Sequence, residues 1–197
     1  MGLKEKIKKM FVQKEYIPIF HQVPSSKEFE EKVVLISGGS GGIGLAIAKS
    51  LQEAGAIVVI SGTNENKLNK IKEETNLETI VMNYSKPETF KSVIEKITTK
   101  YGKIDIFISS AGVHTENVDF WTMSQKEFDR VMDINLKGVF FACQTIGRYM
   151  VDNKIKGSIL LISSSRGSEP AWSPYGISKW GLKGLTEGLA QCRVRLN

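Results

Sequence analysis

The stretch Val33-Val34-Leu35-Ile36-Ser37-Gly38-Gly39-Ser40-Gly41-Gly42-Ile43-Gly44-Leu45-Ala46-Ile47-Ala48-Lys49-Ser50-Leu51 decides the fold. It opens with four aliphatic residues, three of them β-branched. Such a run reads as a strand buried on both faces, as parallel strands are. A glycine-rich turn follows. Ile43, Ala46, Ile47 and Leu51 then mark one face of a helix that ends at Ala54-Gly55. Glycine lets the backbone turn tightly and approach an anion closely, and the helix behind it points its free N–H groups at that anion. A strand before and a helix after are the context that turns a glycine string into a nucleotide-binding signal.

Outward from this stretch the pattern alternates. Ile57 to Ser61 reads as a second strand, 66–74 as a helix, and Thr79 to Met82 as a third strand. Lys86 to Tyr101 reads as a helix with Phe90, Val93, Ile94 and Ile97 on one face, and Ile104 to Ser109 as a fourth strand. Ser124 to Met150 is a long helical stretch that continues through Gly138 and Gly147. Gly157 to Ser163 reads as a fifth strand, and Pro174 to about Arg193 as a last helix. Strand and helix alternating at this spacing means βαβ units and a parallel sheet. Right-handed crossovers place helices on both faces, giving a doubly wound, three-layer α/β fold. Its ligands bind at the carboxyl ends of the strands.

Residues 1–31 read separately, as an N-terminal arm and connector before a domain at 32–197. Leu3, Ile7, Met10 and Phe11 recur at helical spacing among lysines, as on a short amphipathic helix. Glu5 and Glu15 dilute its basic face, so it suits packing on the domain or a second subunit better than lying on a membrane. Tyr16 to Pro24 carries two prolines and reads as extended. No apolar cleavable leader follows the basic start, and no apolar run reaches the length of a membrane span.

The chain has 197 residues, enough for one sizeable core without disulfides or metal. Cys143 and Cys192 are far apart and sit in no CxxC or Cys/His cluster, which excludes a disulfide scaffold and a zinc module and suits a reducing compartment. The net charge of +6 is spread along the chain and mixed with acids, unlike a nucleic-acid patch. A cytoplasmic protein with no nucleic-acid, membrane or metal partner is expected.

Three further stretches carry chemistry. Tyr175 and Lys179 lie four residues apart in a helical stretch, and so side by side on one face. An ammonium fixed beside a phenol stabilises its phenolate and suits the phenol as a proton donor to a carbonyl oxygen. The fifth strand ends in Ser163-Ser164-Ser165, where a hydroxyl would hold a substrate oxygen. The second strand ends at Ser61-Gly62-Thr63-Asn64 with no acid to bond a ribose 2′-hydroxyl. Thr63 and Asn64 can donate to a 2′-phosphate, so NADP is favoured over NAD.

Residues 32 to 197 resemble the short-chain dehydrogenase/reductases. The resemblance rests on Ser37-Gly38 through Gly42 and Gly44, Ser109-Ser110-Ala111-Gly112, Asn135 within Asp133 to Gly138, Ser164, and Tyr175 to Lys179, in that order. It implies a Rossmann-like fold and a nicotinamide cofactor. It also implies hydride transfer to or from a small ketone or secondary alcohol. By the same resemblance Tyr175 is the general acid/base, Lys179 binds the nicotinamide ribose and stabilises the Tyr175 phenolate, and Ser164 bonds the substrate oxygen. Asn135 holds a water that links Lys179 to solvent. The cofactor falls to Gly38, Ser40, Gly42, Ile43, Gly44, Thr63, Asn64, Asn83, Tyr84, Ala111 and Gly112. A homodimer or homotetramer through the two long helices, 124–150 and 174–193, is also implied.

The sequence departs from the family in three places. Ser109-Ser110 replaces an asparagine pair that ties the central strands, so altered bonding and weaker cofactor binding are expected there. Eleven positions separate Ser164 from Tyr175, fewer than usual. Ser164 is preferred to Ser163 because Gly167 stands three residues after it. The family usually continues into two further strands and a substrate-covering segment, whereas Arg193 to Asn197 resembles only the start of the sixth strand. The chain therefore reads as C-terminally truncated, which leaves a non-catalytic dinucleotide-binding module and an inactive fragment as alternatives. His114, Trp121, Arg166 and Trp172 lie on loops that reach the pocket mouth, and the two tryptophans serve equally well as packing residues.

Overall fold

The computed structural model describes residues 29–116 and 118–194. The expected amphipathic helix lies outside the described residues. Of the N-terminal arm, Phe29 packs against the domain core.

Five parallel strands form one sheet: β1 (Val33–Ser37), β2 (Ile57–Gly62), β3 (Glu78–Val81), β4 (Ile106–Ser109) and β5 (Ser158–Leu161). Their order is β3-β2-β1-β4-β5. The helices are α1 (Gly42–Glu53), α2 (Glu65–Thr75), α3 (Phe90–Tyr101), α4 (Gln125–Met132), α5 (Val139–Asp152) and α6 (Pro174–Val194). This is the doubly wound, Rossmann-like α/β architecture.

The aliphatic run that opens the reading lies at the centre. Val33, Val34, Leu35 and Ile36 have no exposed surface. Alternation sends Val33 and Leu35 to one face with Phe107, α3, α5 and Leu182 of α6. Val34 and Ile36 face the other side, with Ile108, α1 and α2. Each such side chain contributes about 1.5–3 kcal/mol by leaving water. The strand order reverses at β1, between β2 and β4, and that switch point opens a crevice at the carboxyl ends of the strands.

Several boundaries differ from the sequence reading, β5 ending at Leu161 rather than Ser163 among them, and three have identifiable causes or consequences. β4 joins the ladder at Ile106 rather than Ile104, because the Asp105 carboxylate accepts from the Val33 N–H at 2.9 Å and caps the start of β1. The long helical stretch is not uniform. Asp133–Gly138 is π-helical and joins α4 to α5. A Cβ on Gly138 would sit 2.6 Å from the Tyr84 carbonyl oxygen, so glycine lets this wide turn press on the loop after β3. Arg193 and Val194, read as opening a sixth strand, close α6 instead. No glycine or proline after Gly188 stops that helix.

Candidate active site

The glycine loop leaves β1 through Gly38, whose φ is +66°. A Cβ there would lie 2.6 Å from the Ala111 backbone, so the loops after β1 and β4 touch directly. Gly41 precedes α1 without a side-chain cap, and no acid stands in the first turn. A Cβ on Gly42 would meet nothing within 4 Å. Ile43 beside it is exposed. The first N–H groups of α1 therefore face open space without a competing anion, and a dinucleotide pyrophosphate fits that cradle. Ser40 reaches the end of β2, its Oγ 2.9 Å from where a Gly62 Cβ would be. An acidic side chain at position 62 would have to displace it.

Other expected cofactor residues are partly committed elsewhere. The Asn64 side-chain oxygen caps α2, accepting from the Lys67 N–H at 2.9 Å, which leaves its amide N–H groups for a ligand. Asn83 accepts from the Ser85 N–H at 2.9 Å and likewise keeps its amide donors. Thr63 is exposed.

The Tyr84 side chain turns inward. Its phenol is buried, bonded to the Ser37 hydroxyl and, at 2.9 Å, to the Ser109 hydroxyl. Its ring packs edge-on against Phe90. Burial pushes its pKa well up, so the phenol stays neutral. Tyr84 thus ties the ends of β1 and β4 from the side of α3. The expected change in bonding at Ser109 takes this form: two small hydroxyls leave room for a phenol between them.

Asn135 sits in the π-helical segment, fully buried. Its side-chain oxygen accepts from the Val113 N–H and its amide donates to the Val113 carbonyl, each at 2.8 Å. The same amide contacts the Ser178 hydroxyl at 3.3 Å, which donates to the Tyr175 carbonyl at 2.7 Å. One side chain therefore fixes the segment after β4 against the first turns of α6. Arg130 donates to the His114 carbonyl at 2.7 Å, and Glu127 accepts from the Glu116 N–H at 3.0 Å. Arg130 beside Glu127 holds that carboxyl down to about 2.

Tyr175 and Lys179 stand side by side on α6. The Lys179 ammonium is 5.5 Å from the centre of the Tyr175 ring. It donates to the Ile162 carbonyl at 3.2 Å and lies 3.7 Å from where a Gly112 Cβ would be. The His114 ring stacks on the Tyr175 ring at 4.1 Å, a contact that sequence spacing does not announce. Ser164 and Tyr175 line a single cavity of about 460 Å³, with His114, Arg166 and Trp172. Trp121 projects into solvent instead, 87% exposed. Ser163 turns away, its hydroxyl 3.5 Å from the Lys179 carbonyl, whereas Ser164 lines the cavity with Tyr175, as do Ser165 and Ser173. A larger hollow of about 570 Å³ between α2 and β3 is lined by Asn69, Lys72, Glu73, Asn76 and Glu78, away from all of these groups.

Lys179 is only 5% exposed, and burial lowers its pKa. A lysine lowered in this way weakens folding at pH values below its folded-state pKa, and relief comes as pH rises from there toward the ordinary lysine value. Lys179→Met is therefore expected to raise the urea midpoint at neutral pH. Repeating the unfolding at increasingly alkaline pH should shrink the gain.

The family described as short chain dehydrogenase matches residues 32–194. A 3-oxoacyl-(acyl-carrier-protein) reductase of Thermotoga maritima is 32% identical over 179 residues, covering 85% of this chain and 72% of that protein. Among solved structures, levodione reductase superposes with a TM-score of 0.79 at 29% identity, over 85% of this chain and 68% of that one. NAD+-bound xylitol dehydrogenase superposes with a TM-score of 0.78 at 28% identity, over 87% and 68%.

Proposed function

The chain belongs to the short-chain dehydrogenase family, whose members are nicotinamide-dependent oxidoreductases, and from that premise we propose that it interconverts a small ketone and its secondary alcohol with Tyr175 as the acid/base. The observation that carries this reading is the shared space at the strand ends: Tyr175 beside a buried ammonium, with Ser164 on the wall of the same cavity.

A bound nicotinamide dinucleotide supplies or takes up the hydride at the carbonyl carbon. Gly38, Ser40, Gly42, Ile43 and Gly44 would hold its pyrophosphate on the N-terminus of α1. Ala111 and Gly112 would line the crevice beside it, and Asn83 could donate to the adenine. In the reduction direction the substrate oxygen takes on negative charge. Ser164 donates a hydrogen bond to that oxygen, and the Tyr175 phenol gives it a proton. Lys179 bonds the ribose hydroxyls and stabilises the phenolate left behind. Asn135 keeps the crevice wall in place through Val113. In the alcohol-to-ketone direction Tyr175 takes the proton back.

NADP is the preferred cofactor in this reading. Gly62 and Thr63 offer no carboxylate to a ribose hydroxyl, and Thr63 with the Asn64 amide can donate to a 2′-phosphate. Phe128, Phe140, Ile177 and Trp180 are exposed on α4, α5 and α6, which supports a homo-oligomer built on those helices. Among the described residues no helix is long and apolar enough to cross a membrane; the protein is read as cytoplasmic.

The test is direct. The protein is mixed with NADPH and, separately, NADH, and cofactor fluorescence and consumption are followed across a panel of ketones and aldehydes. Binding with carbonyl-dependent consumption, stronger for NADPH, is expected. Binding without consumption would leave a dinucleotide-binding module, and neither would leave only the shared fold.

A further inference from the structure

Resting on the reductase reading above, we infer that Arg166 selects carbonyl substrates that carry a carboxylate. Arg166 stands two residues after Ser164, in the short turn Ser165–Gly167, and lines the same cavity as Tyr175. The Ser164 hydroxyl accepts from the Arg166 N–H at 3.3 Å. The base of the guanidinium arm is thereby tied to the residue assigned to the substrate oxygen. Among the described residues no acidic side chain lines this cavity, and its lining also carries the hydroxyls of Thr115, Ser165 and Ser173. A cation with hydroxyl donors and no competing acid on the wall suits a small anion better than an alkyl chain.

Glu169 is the ionic partner of Arg166, with one Nη1–Oε2 contact of 3.0 Å. Glu169 stands outside the cavity lining, its backbone carbonyl held by the Trp180 indole at 2.7 Å. Both charged side chains are well exposed, 63% and 49%, so the pair is a weak one. A guanidinium carries five N–H donors in a flat fork, and one contact to Glu169 leaves most of them for a second carboxylate. Arg166 is thus held near the cavity without being used up.

The experiment compares pyruvate, acetoacetate and levulinate with their methyl esters, which keep the ketone and lose the charge. The ratio of kcat/KM for acid over ester is measured with NADPH for the unmodified protein, Arg166→Gln and Glu169→Gln. At least one acid is expected to be preferred to its ester. Arg166→Gln should lower that ratio about tenfold to a hundredfold, the loss of one hydrogen bond between charged groups. Glu169→Gln removes the competing carboxylate and should raise it, which a purely structural role for the pair would not do. A ratio near one in the unmodified protein, or one that survives Arg166→Gln, overturns the inference. If no ketone is consumed, the reductase reading fails, and binding decides the inference separately. Trp172 lines the cavity and reports occupancy by fluorescence. Tighter binding of acetoacetate than of methyl acetoacetate, lost in Arg166→Gln, supports the selection, and equal binding overturns it.

Discussion

Tyr175→Phe should cut carbonyl reduction by about 10²–10⁴-fold, the range for losing a positioned general acid. The substitution is clean because the ring keeps its neighbours. Its stack on His114 and its place under the Lys179 ammonium do not need the hydroxyl. Stability should therefore shift by no more than about 0.5 kcal/mol, and NADPH affinity should stay close to that of the parent. Steady-state rates, a urea curve and a cofactor titration separate these three quantities. A Tyr175→Phe protein that keeps full activity would move the proton donor elsewhere, while loss of rate with loss of folding would make the comparison uninformative about chemistry. The second outcome is not expected, because no described hydrogen bond ends on the Tyr175 hydroxyl.

Gly38→Ala should do the opposite and strike the fold first. A φ of +66° disfavours any side chain, by about 1–2 kcal/mol. The new Cβ would also lie 2.6 Å from both the nitrogen and the Cα of Ala111. Those are backbone atoms on the neighbouring loop and cannot swing aside as a side-chain tip would. Together the two effects should cost about 2–5 kcal/mol in chemical denaturation, with cofactor binding weakened as the crevice is pushed open. Gly42→Ala is the matched control. Its Cβ meets nothing within 4 Å, so stability should hold, yet the methyl enters the space assigned to the pyrophosphate and should weaken dinucleotide binding. Equal stability for the two variants would remove the case for Gly38 as a packing requirement.

Much of this architecture was legible in the linear chain, for identifiable reasons. Val33 to Ile36 is too apolar and β-branched to be anything but a buried strand, and the glycines behind it have no other common use in that context. Tyr175 and Lys179 meet because helical spacing forces them to. The misses share a cause as well. Apolar periodicity runs unbroken through residues 124–150, so nothing local signals the extra residue per turn at Asp133–Gly138. The start of β4 depends on the Asp105 carboxylate reaching Val33, a contact across 72 positions. Tyr84 follows a strand end, where a cofactor contact is the natural guess. Only the pairing of β1 with β4 brings Ser37 and Ser109 to its hydroxyl. The His114 stack on Tyr175 is likewise a product of two loops meeting.

The two walls of the cavity are not equally free to change. His114 and Thr115 belong to a segment locked by amide, guanidinium and carboxylate contacts from Asn135, Arg130 and Glu127. Across from it, Gly167 is buried, and a Cβ there would lie 2.9 Å from the Lys179 carbonyl oxygen, whereas Glu169 to Trp172 are tied by a surface ion pair and one indole contact. Anyone seeking to retune which molecule this protein accepts should randomise the second wall and leave the first alone. Diversity introduced at 169–172 can be screened for new selectivity, whereas diversity at 113–116 would mostly return variants with a collapsed crevice.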